Sequence, residues 1–326
     1  MWPPISTRST LAEALRGWPA PALDPGGPAA AAIATLSWVL LALTGLILAI
    51  VLAAIALALL GRPAWRAWLS GERLVWIGGV ALPIVVLTGL LIYGLTTTGR
   101  LAAAGPPGEM RVRVTGEMWW WRVAYLDAAG REVIHDANEV HIPAGRPVTF
   151  ELEAADVIHS FWVPRLAGKL DMIPGRRNVL RLQADAPGVY AGQCAEFCGG
   201  PHALMGFLVV AHPPAEFERW RAARLRPPAP PSDPLAARGA AVFAASGCGA
   251  CHRIAGSAAN GLAGPDLTFV GARRSLGAGI LPNNQGTLAG WVADSQAIKP
   301  GNRMPPFRTF SGEELRALAA YLEGLR

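Results

Sequence analysis

The stretch Cys194-Ala195-Glu196-Phe197-Cys198-Gly199-Gly200-Pro201-His202-Ala203-Leu204-Met205 decides how the chain reads. It carries two thiols, an imidazole and a thioether, a soft donor set that suits copper in an electron-transfer site and matches structural zinc sites poorly. The spacing of Cys194 and Cys198 makes a tight loop that can turn both sulfurs toward one point. Two thiolates shared between two copper ions form a compact rhomb over which an electron delocalises, lowering the reorganisation that accompanies its arrival. His202 and Met205 are in reach on the same loop. Another imidazole must come from elsewhere. His159, in Asp156-Val157-Ile158-His159-Ser160-Phe161-Trp162-Val163-Pro164, is the candidate because it joins the end of one predicted strand to the start of another. His135, His141 and His212 compete, but without a matching context each reads as a surface histidine. Blander readings stay open: the Cys pair as zinc ligands or a disulfide, and Met205 as core packing.

A second run, Cys248-Gly249-Ala250-Cys251-His252, has the form that attaches c-type haem, with the cysteines bonded to the porphyrin and His252 on the iron. A chance match or a zinc pair is the alternative. Beyond the proline-rich run 224–231, His252 is the only histidine and Met304 the only methionine, so elimination makes Met304 the sixth ligand. His/Met ligation raises an iron potential and suits one-electron transfer. All four cysteines fall in the two motifs, and covalent haem attachment implies an exported domain.

The chain has 326 residues, 52% of them hydrophobic, which exceeds what a soluble protein needs. No charge occurs over 25–61 or 74–99, each longer than the ~20 residues that span a bilayer. Two transmembrane helices are predicted near 31–59 and 74–96, the second kinked at Pro83. The connecting loop carries Arg62, Arg66 and Arg73 against Glu72, and so belongs on the cytoplasmic side. Short alternating segments follow (110–115, 119–125, 133–134, 147–153, 160–163, 179–183, 207–210), the pattern of a β-sandwich. Helical signals return over 234–245, 287–294 and 311–325. The expected organisation is an external N-terminal segment 1–30, a transmembrane hairpin 31–98, a β-sandwich copper domain 109–215, a Pro-rich linker 223–234 and an all-α domain 235–326. The net charge of +6 comes from arginines scattered over all regions, with no basic tract interleaved with aromatics, which argues against nucleic-acid binding.

Taken together, Leu23–Pro28, the two apolar helices, Asp156–Pro164, Lys169–Arg176 and Cys194–Met205 resemble subunit II of the haem–copper cytochrome c oxidases. Gly264-Pro265-Asp266-Leu267 and Leu281-Pro282-Asn283-Asn284 resemble the class I cytochrome c domain fused to some bacterial subunits II, the caa type. The resemblance implies a cupredoxin-like domain with a binuclear copper A centre. Cys194 and Cys198 would bridge, with His159 and Met205 on one copper and His202 and the Glu196 carbonyl on the other. The Glu196 side chain would hold a magnesium ion at the contact with subunit I. Trp119, first of Trp119-Trp120-Trp121, would receive electrons, although Trp120 replaces the family's usual tyrosine. Glu72 matches by position a glutamate at a proton path, and its place at a helix start is equally accounted for by the helix dipole.

The implied function is electron transfer from cytochrome c or a bc complex through haem c and copper A to haem a of subunit I, for oxygen reduction coupled to proton translocation. The partners would be subunit I, other oxidase subunits and membrane lipid. The location would be a bacterial inner membrane, with the copper and haem domains on the periplasmic face. Two rivals remain: the electron-accepting subunit of a copper A nitric oxide reductase, separable only by its catalytic partner, and a copper-delivery protein, which would not need a covalent haem.

Overall fold

The computed structural model describes residues 22–102 and 105–326; the expected N-terminal segment lies outside it up to residue 21. Two helices, α1 (Pro28–Leu60) and α3 (Glu72–Leu101), are long and apolar enough to cross a membrane, and a short α2 (Pro63–Leu69) lies between them. At ~1.5 Å per residue each exceeds the ~30 Å of a hydrocarbon core. Their apolar side chains, Leu40, Leu48, Ile84 and Leu91 among them, are exposed, as lipid-facing residues are. Where a kink was expected, the backbone makes a π turn over Ile77–Ala81 just ahead of Pro83. Proline lacks an amide to donate and crowds the preceding turn, and the wider π turn accommodates both. Glu72 is the first residue of α3.

Residues beyond 104 form a two-sheet sandwich and a helical domain. One sheet runs β3-β2-β1-β5-β8, the strands being β1 (Arg111–Glu117), β2 (Trp120–Leu126), β3 (Glu132–Ala137), β5 (Val148–Ala154) and β8 (Asn178–Leu182). The other runs β4-β10-β9-β6-β7, from β4 (Glu139–Pro143), β6 (His159–Trp162), β7 (Leu170–Met172), β9 (Gly188–Cys194) and β10 (Gly206–His212). β1 alternates buried and half-exposed residues, as a strand with one face on the core must. Between the sheets Trp121, Phe150, Phe161 and Phe207 are fully buried, with Phe161 and Phe207 stacked 4.5 Å apart.

Three strands lack a sequence signal: β4 is buried throughout rather than alternating, β7 is short, and β9 contains two glycines. The unexpected helix α4 (Pro214–Arg224) packs on β4 and β10 through Phe217 and Trp220. That corrects the surface reading of His141 and His212. His141 is buried, its Nδ1 2.8 Å from His212 Nε2, and its ring stacks on Trp220 at 4.4 Å. His135 is half-buried on β3.

A clasp at the start of α1 completes the sandwich. Gly26 N–H donates to Arg165 O and its carbonyl accepts from Asp185 N, while Ala30 N–H donates to Leu166 O. A Cβ on Gly27 would sit 2.1 Å from Gln183 O, so only glycine fits there.

The helical domain consists of α5 (Pro234–Ala245), α6 (Gln285–Ile298) and α7 (Gly312–Gly324). Asp233, Asn284 and Ser311 cap their N-termini, the last two in capping boxes. α5 and α7 approach closely at Gly239, where a Cβ would meet Ala317 O at 1.9 Å. The domain docks on the sandwich through buried groups: Arg273 Nε reaches Asp136 at 2.7 Å, and the Arg274 amide donates to the Glu139 carboxylate.

Glu139 is 1% exposed, and its Oε1 has no hydrogen-bond partner among the described residues, His141 Nε2 lying 3.8 Å away. Burial, with Asp136 adding repulsion, raises its pKa from 4.5 to about 7 against the pull of the Arg274 amide and the Arg274 and Arg273 charges. From about pH 4.5 to 7 the folded chain thus keeps a proton that the unfolded chain releases, and stability falls as pH rises through that window, by about 3 kcal/mol in all. Glu139→Gln should therefore raise the unfolding midpoint at pH 8 and leave it nearly unchanged at pH 4.5. Denaturation of the detergent-solubilised protein at both pH values measures this, and an equal shift at both would contradict the assignment.

Candidate metal centre

β9 ends at Cys194 and β10 begins at Gly206, so the loop between them must close on itself. It does so through Cys194 N–H to Met205 O at 3.0 Å and a 3-10 turn over His202–Leu204. β6 lies beside β9, with Phe161 opposite Cys194 and Ala195 N–H donating to Ser160 O. This pairing carries His159, on a strand distant in sequence, to the loop.

Five donor side chains converge there. The Cys194 and Cys198 sulfurs are 3.8 Å apart, too far for a disulfide. His159 Nδ1 lies 3.9 Å from Cys194 Sγ, His202 Nδ1 3.3 Å from Cys198 Sγ, and Met205 Sδ 3.7 Å from Cys198 Sγ. The Glu196 carbonyl oxygen is 3.3 Å from Cys194 Sγ. His159, Cys194, Cys198 and Met205 are all buried. Asp156 Oδ1 accepts from His159 Nε2 at 2.9 Å, which leaves Nδ1 as the lone-pair nitrogen facing the sulfurs. Gly116 leaves room for that ring; a Cβ would stand 2.7 Å from it.

The two thiols share charge unequally. The proton shared with Cys198 holds the Cys194 pKa well below its ordinary value, against burial and with help from His159. The same bond and burial push Cys198 far above its ordinary value. Burial opposes a charge on His159, but the Cys194 sulfur and Asp156 outweigh it and raise its pKa. A group that replaces the shared proton and lets both sulfurs ionise must bring positive charge. Two soft sulfurs, two imidazoles, a thioether and a carbonyl fit copper.

The three tryptophans separate. Trp119 Nε1 donates to Cys198 O at 2.9 Å, and its ring packs on Gly199 and Gly200. Trp120 lies under the Arg122 guanidinium. Trp121 is a core residue whose Nε1 reaches Met205 O at 3.4 Å. The Glu196 carboxylate is half-exposed, 3.4 Å from Lys169, which also pairs with Asp171 at 3.0 Å.

In the helical domain a 3-10 turn over Cys248–Ala250 leads into His252, whose amide donates to Cys248 O. His252 Nδ1 donates to Pro265 O at 2.8 Å, leaving Nε2 for a metal; burial lowers its pKa and favours the neutral ring. A Cβ on Gly264 would stand 2.7 Å from the imidazole, so this glycine makes space beside it. These features fit a c-type haem. Met304 is half-buried against the domain core. Its amide donates to Asn302 Oδ1, and its carbonyl accepts from Ser295 Oγ and Gln296 Nε2.

Two cations in this domain reach the surroundings of the donor cluster without having been anticipated, Lys299 at the loop itself and Arg303 at Asp156. Lys299 Nζ donates to Trp119 O, Leu204 O and Gly277 O at 2.7, 2.8 and 3.1 Å. Burial draws its pKa down to about 7, with the Cys198 sulfur pulling the other way. Arg303 reaches Asp156 at 3.4 Å. Lys299 had one signal in the sequence: it and Lys169 are the only lysines among 29 cationic residues.

The family model described as cytochrome c oxidase subunit II, periplasmic domain, matches residues 125–212, and the cytochrome c model matches 236–326. Cytochrome c oxidase subunit 2 of Alkalihalophilus pseudofirmus is 38% identical over 261 residues, covering 78% of this chain and 74% of that protein. Its counterpart in Bacillus sp. strain PS3 is 32% identical over 272 residues, covering 78% and 74%. A solved structure of the periplasmic domain of subunit II (CoxB) from Bradyrhizobium japonicum is 29% identical, covering 36% of this chain and 95% of that one, with a TM-score of 0.34. The chain belongs to the cytochrome c oxidase subunit 2 family, as a membrane-anchored member with a cytochrome c domain fused behind its β-sandwich.

Proposed function

We propose that this chain is the electron-accepting subunit of a caa-type terminal oxidase, receiving electrons from a cytochrome c or bc complex and delivering them to haem a of subunit I. There oxygen is reduced to water with proton translocation. Cys248, Cys251, His252 and Met304 would hold haem c. His159, Cys194, Cys198, His202, Met205 and the Glu196 carbonyl would hold copper A. Both groups supply one-electron carriers, and the protein supplies their placement. The observation that carries this reading is the convergence of five side-chain donors on one buried loop, with Asp156 orienting the histidine that arrives from another strand.

The chain's own residues have defined parts. Asp156 presents His159 Nδ1 to the sulfurs. Trp119 spans the gap between the copper loop, through its indole, and the haem domain, through its carbonyl. Electrons from the fused domain therefore have a bonded route to Cys198 that a soluble donor would not need to supply. For Glu196 to take a magnesium ion, Lys169 must turn from it to Asp171. The arginine-bearing loop between the spans favours the periplasmic face for both redox domains.

Cys194→Ser should abolish the mixed-valence absorption and cytochrome c oxidation, whereas Met205→Leu should keep copper and shift its potential. Wild-type protein that binds one zinc and shows no mixed-valence signal would refute the copper reading. Asp156→Ala should lower copper affinity by about 10- to 100-fold, the usual loss when a ligand's orienting partner is removed, measured by competition with a chelator. Met304→Ala should open the iron so that the reduced protein binds carbon monoxide, and should slow reduction by the donor. An unchanged haem spectrum would show that the ligand is not Met304.

A further inference from the structure

Lys299 occupies an unusual position. Its side chain is buried, and every partner it has is a neutral backbone carbonyl, from three different loops. An ammonium has three N–H donors spread around one point, and three carbonyls converge on it. A guanidinium, with donors in a planar fork, cannot meet three such acceptors. In a chain that uses arginine for nearly all its cations, lysine stands where only an ammonium fits.

The three loops are not arbitrary. Leu204 lies between His202 and Met205 on the copper loop. Trp119 is hydrogen-bonded through its indole to Cys198 O. Lys299 itself opens the loop that ends at Met304, and that loop is tightly knit: Asn302 Nδ2 donates to Lys299 O at 2.8 Å, and Asn302 Oδ1 accepts from Met304 N at 2.9 Å. Arg303, on the same loop, reaches the Asp156 that orients His159. Beside them Gly206 N–H donates to Ala278 O at 3.0 Å. Displacing the lysine would move the Met304 loop and the copper loop relative to each other.

We propose that Lys299 is a positioning residue for electron transfer, its ammonium clamping the Met304 loop to the copper loop and to Trp119, so that the haem domain works from one docked position. The inference rests on the copper and haem reading above. One electron moves per event, ferrous haem iron becoming ferric and the copper pair gaining that electron; no bond forms or breaks and no proton is needed. Because the clamp is buried and its acceptors are uncharged, salt has little hold on it. The Cys198 sulfur attracts this cation, whose charge would also favour the more electron-rich state of a copper pair.

The test uses the full, metal-loaded chain in detergent, as wild type, Lys299→Met and Lys299→Arg. Photoreduction of haem c followed by the copper absorption reads the internal transfer rate. Amide exchange at Gly206 and over 119–121 reads docking without reference to activity. Lys299→Met should slow transfer by about tenfold or more, speed exchange at Gly206, and lower the copper potential, with the haem spectrum unchanged. Lys299→Arg, which keeps the charge, should also slow transfer and speed exchange. The wild-type rate should be flat from low to high salt. Wild-type rate and exchange in either variant, or a steep fall of the wild-type rate with salt, would overturn the proposal. Wild-type protein lacking haem c or the mixed-valence copper signal would instead overturn the underlying functional reading.

Discussion

Two sulfurs 3.8 Å apart in a buried loop cannot both carry charge without a positive counterpart, and much of the β-sandwich is arranged around that constraint. The loop from Cys194 to Met205 is closed by its own backbone hydrogen bond, flanked by strands that share one sheet, and backed by Trp121 and Phe161. Small residues stand where the packing is tightest: Gly116 under the His159 ring, and Gly199 and Gly200 under Trp119. A site braced in this way keeps its ligands in place when charge changes, and low reorganisation depends on that.

The convergence of donor side chains in the contiguous run Cys194–Met205 was legible because those atoms are close in sequence. His159 was legible only through its neighbourhood, since the pairing of β6 with β9 that delivers it is a long-range contact. Apolar spans announced themselves by length and lack of charge. Strands such as β4 and β9 did not, because burial on both faces or glycine content erases the period-two pattern. Without β4 and α4, nothing in the sequence could place His141 and His212 inside, stacked beneath Trp220.

The contacts between sandwich and haem domain were likewise invisible to local patterning. Residues such as Asp136, Glu139, Arg273 and Lys299 look like surface charges in a linear reading, yet each is buried where the domains meet. Buried ionic and polar groups contribute less to stability than to the choice of one arrangement over others, since any alternative docking leaves them unpaired. A proline-rich tether alone would permit many orientations. These groups select one.

The backbone clasp at Gly26 and Ala30 bears on how the protein is made. Gly26 comes just before the first apolar helix and Ala30 lies in its first turn, while Arg165, Leu166 and Asp185, to which they bond, come after the second. The sandwich is therefore sealed by the segment that leads into the first helix. It can be completed only in molecules whose two spans have returned the chain to the side from which it set out. A chain that crossed the bilayer an odd number of times would leave Gly26 and Gly27 on the wrong side, with the seam beside Gln183 open.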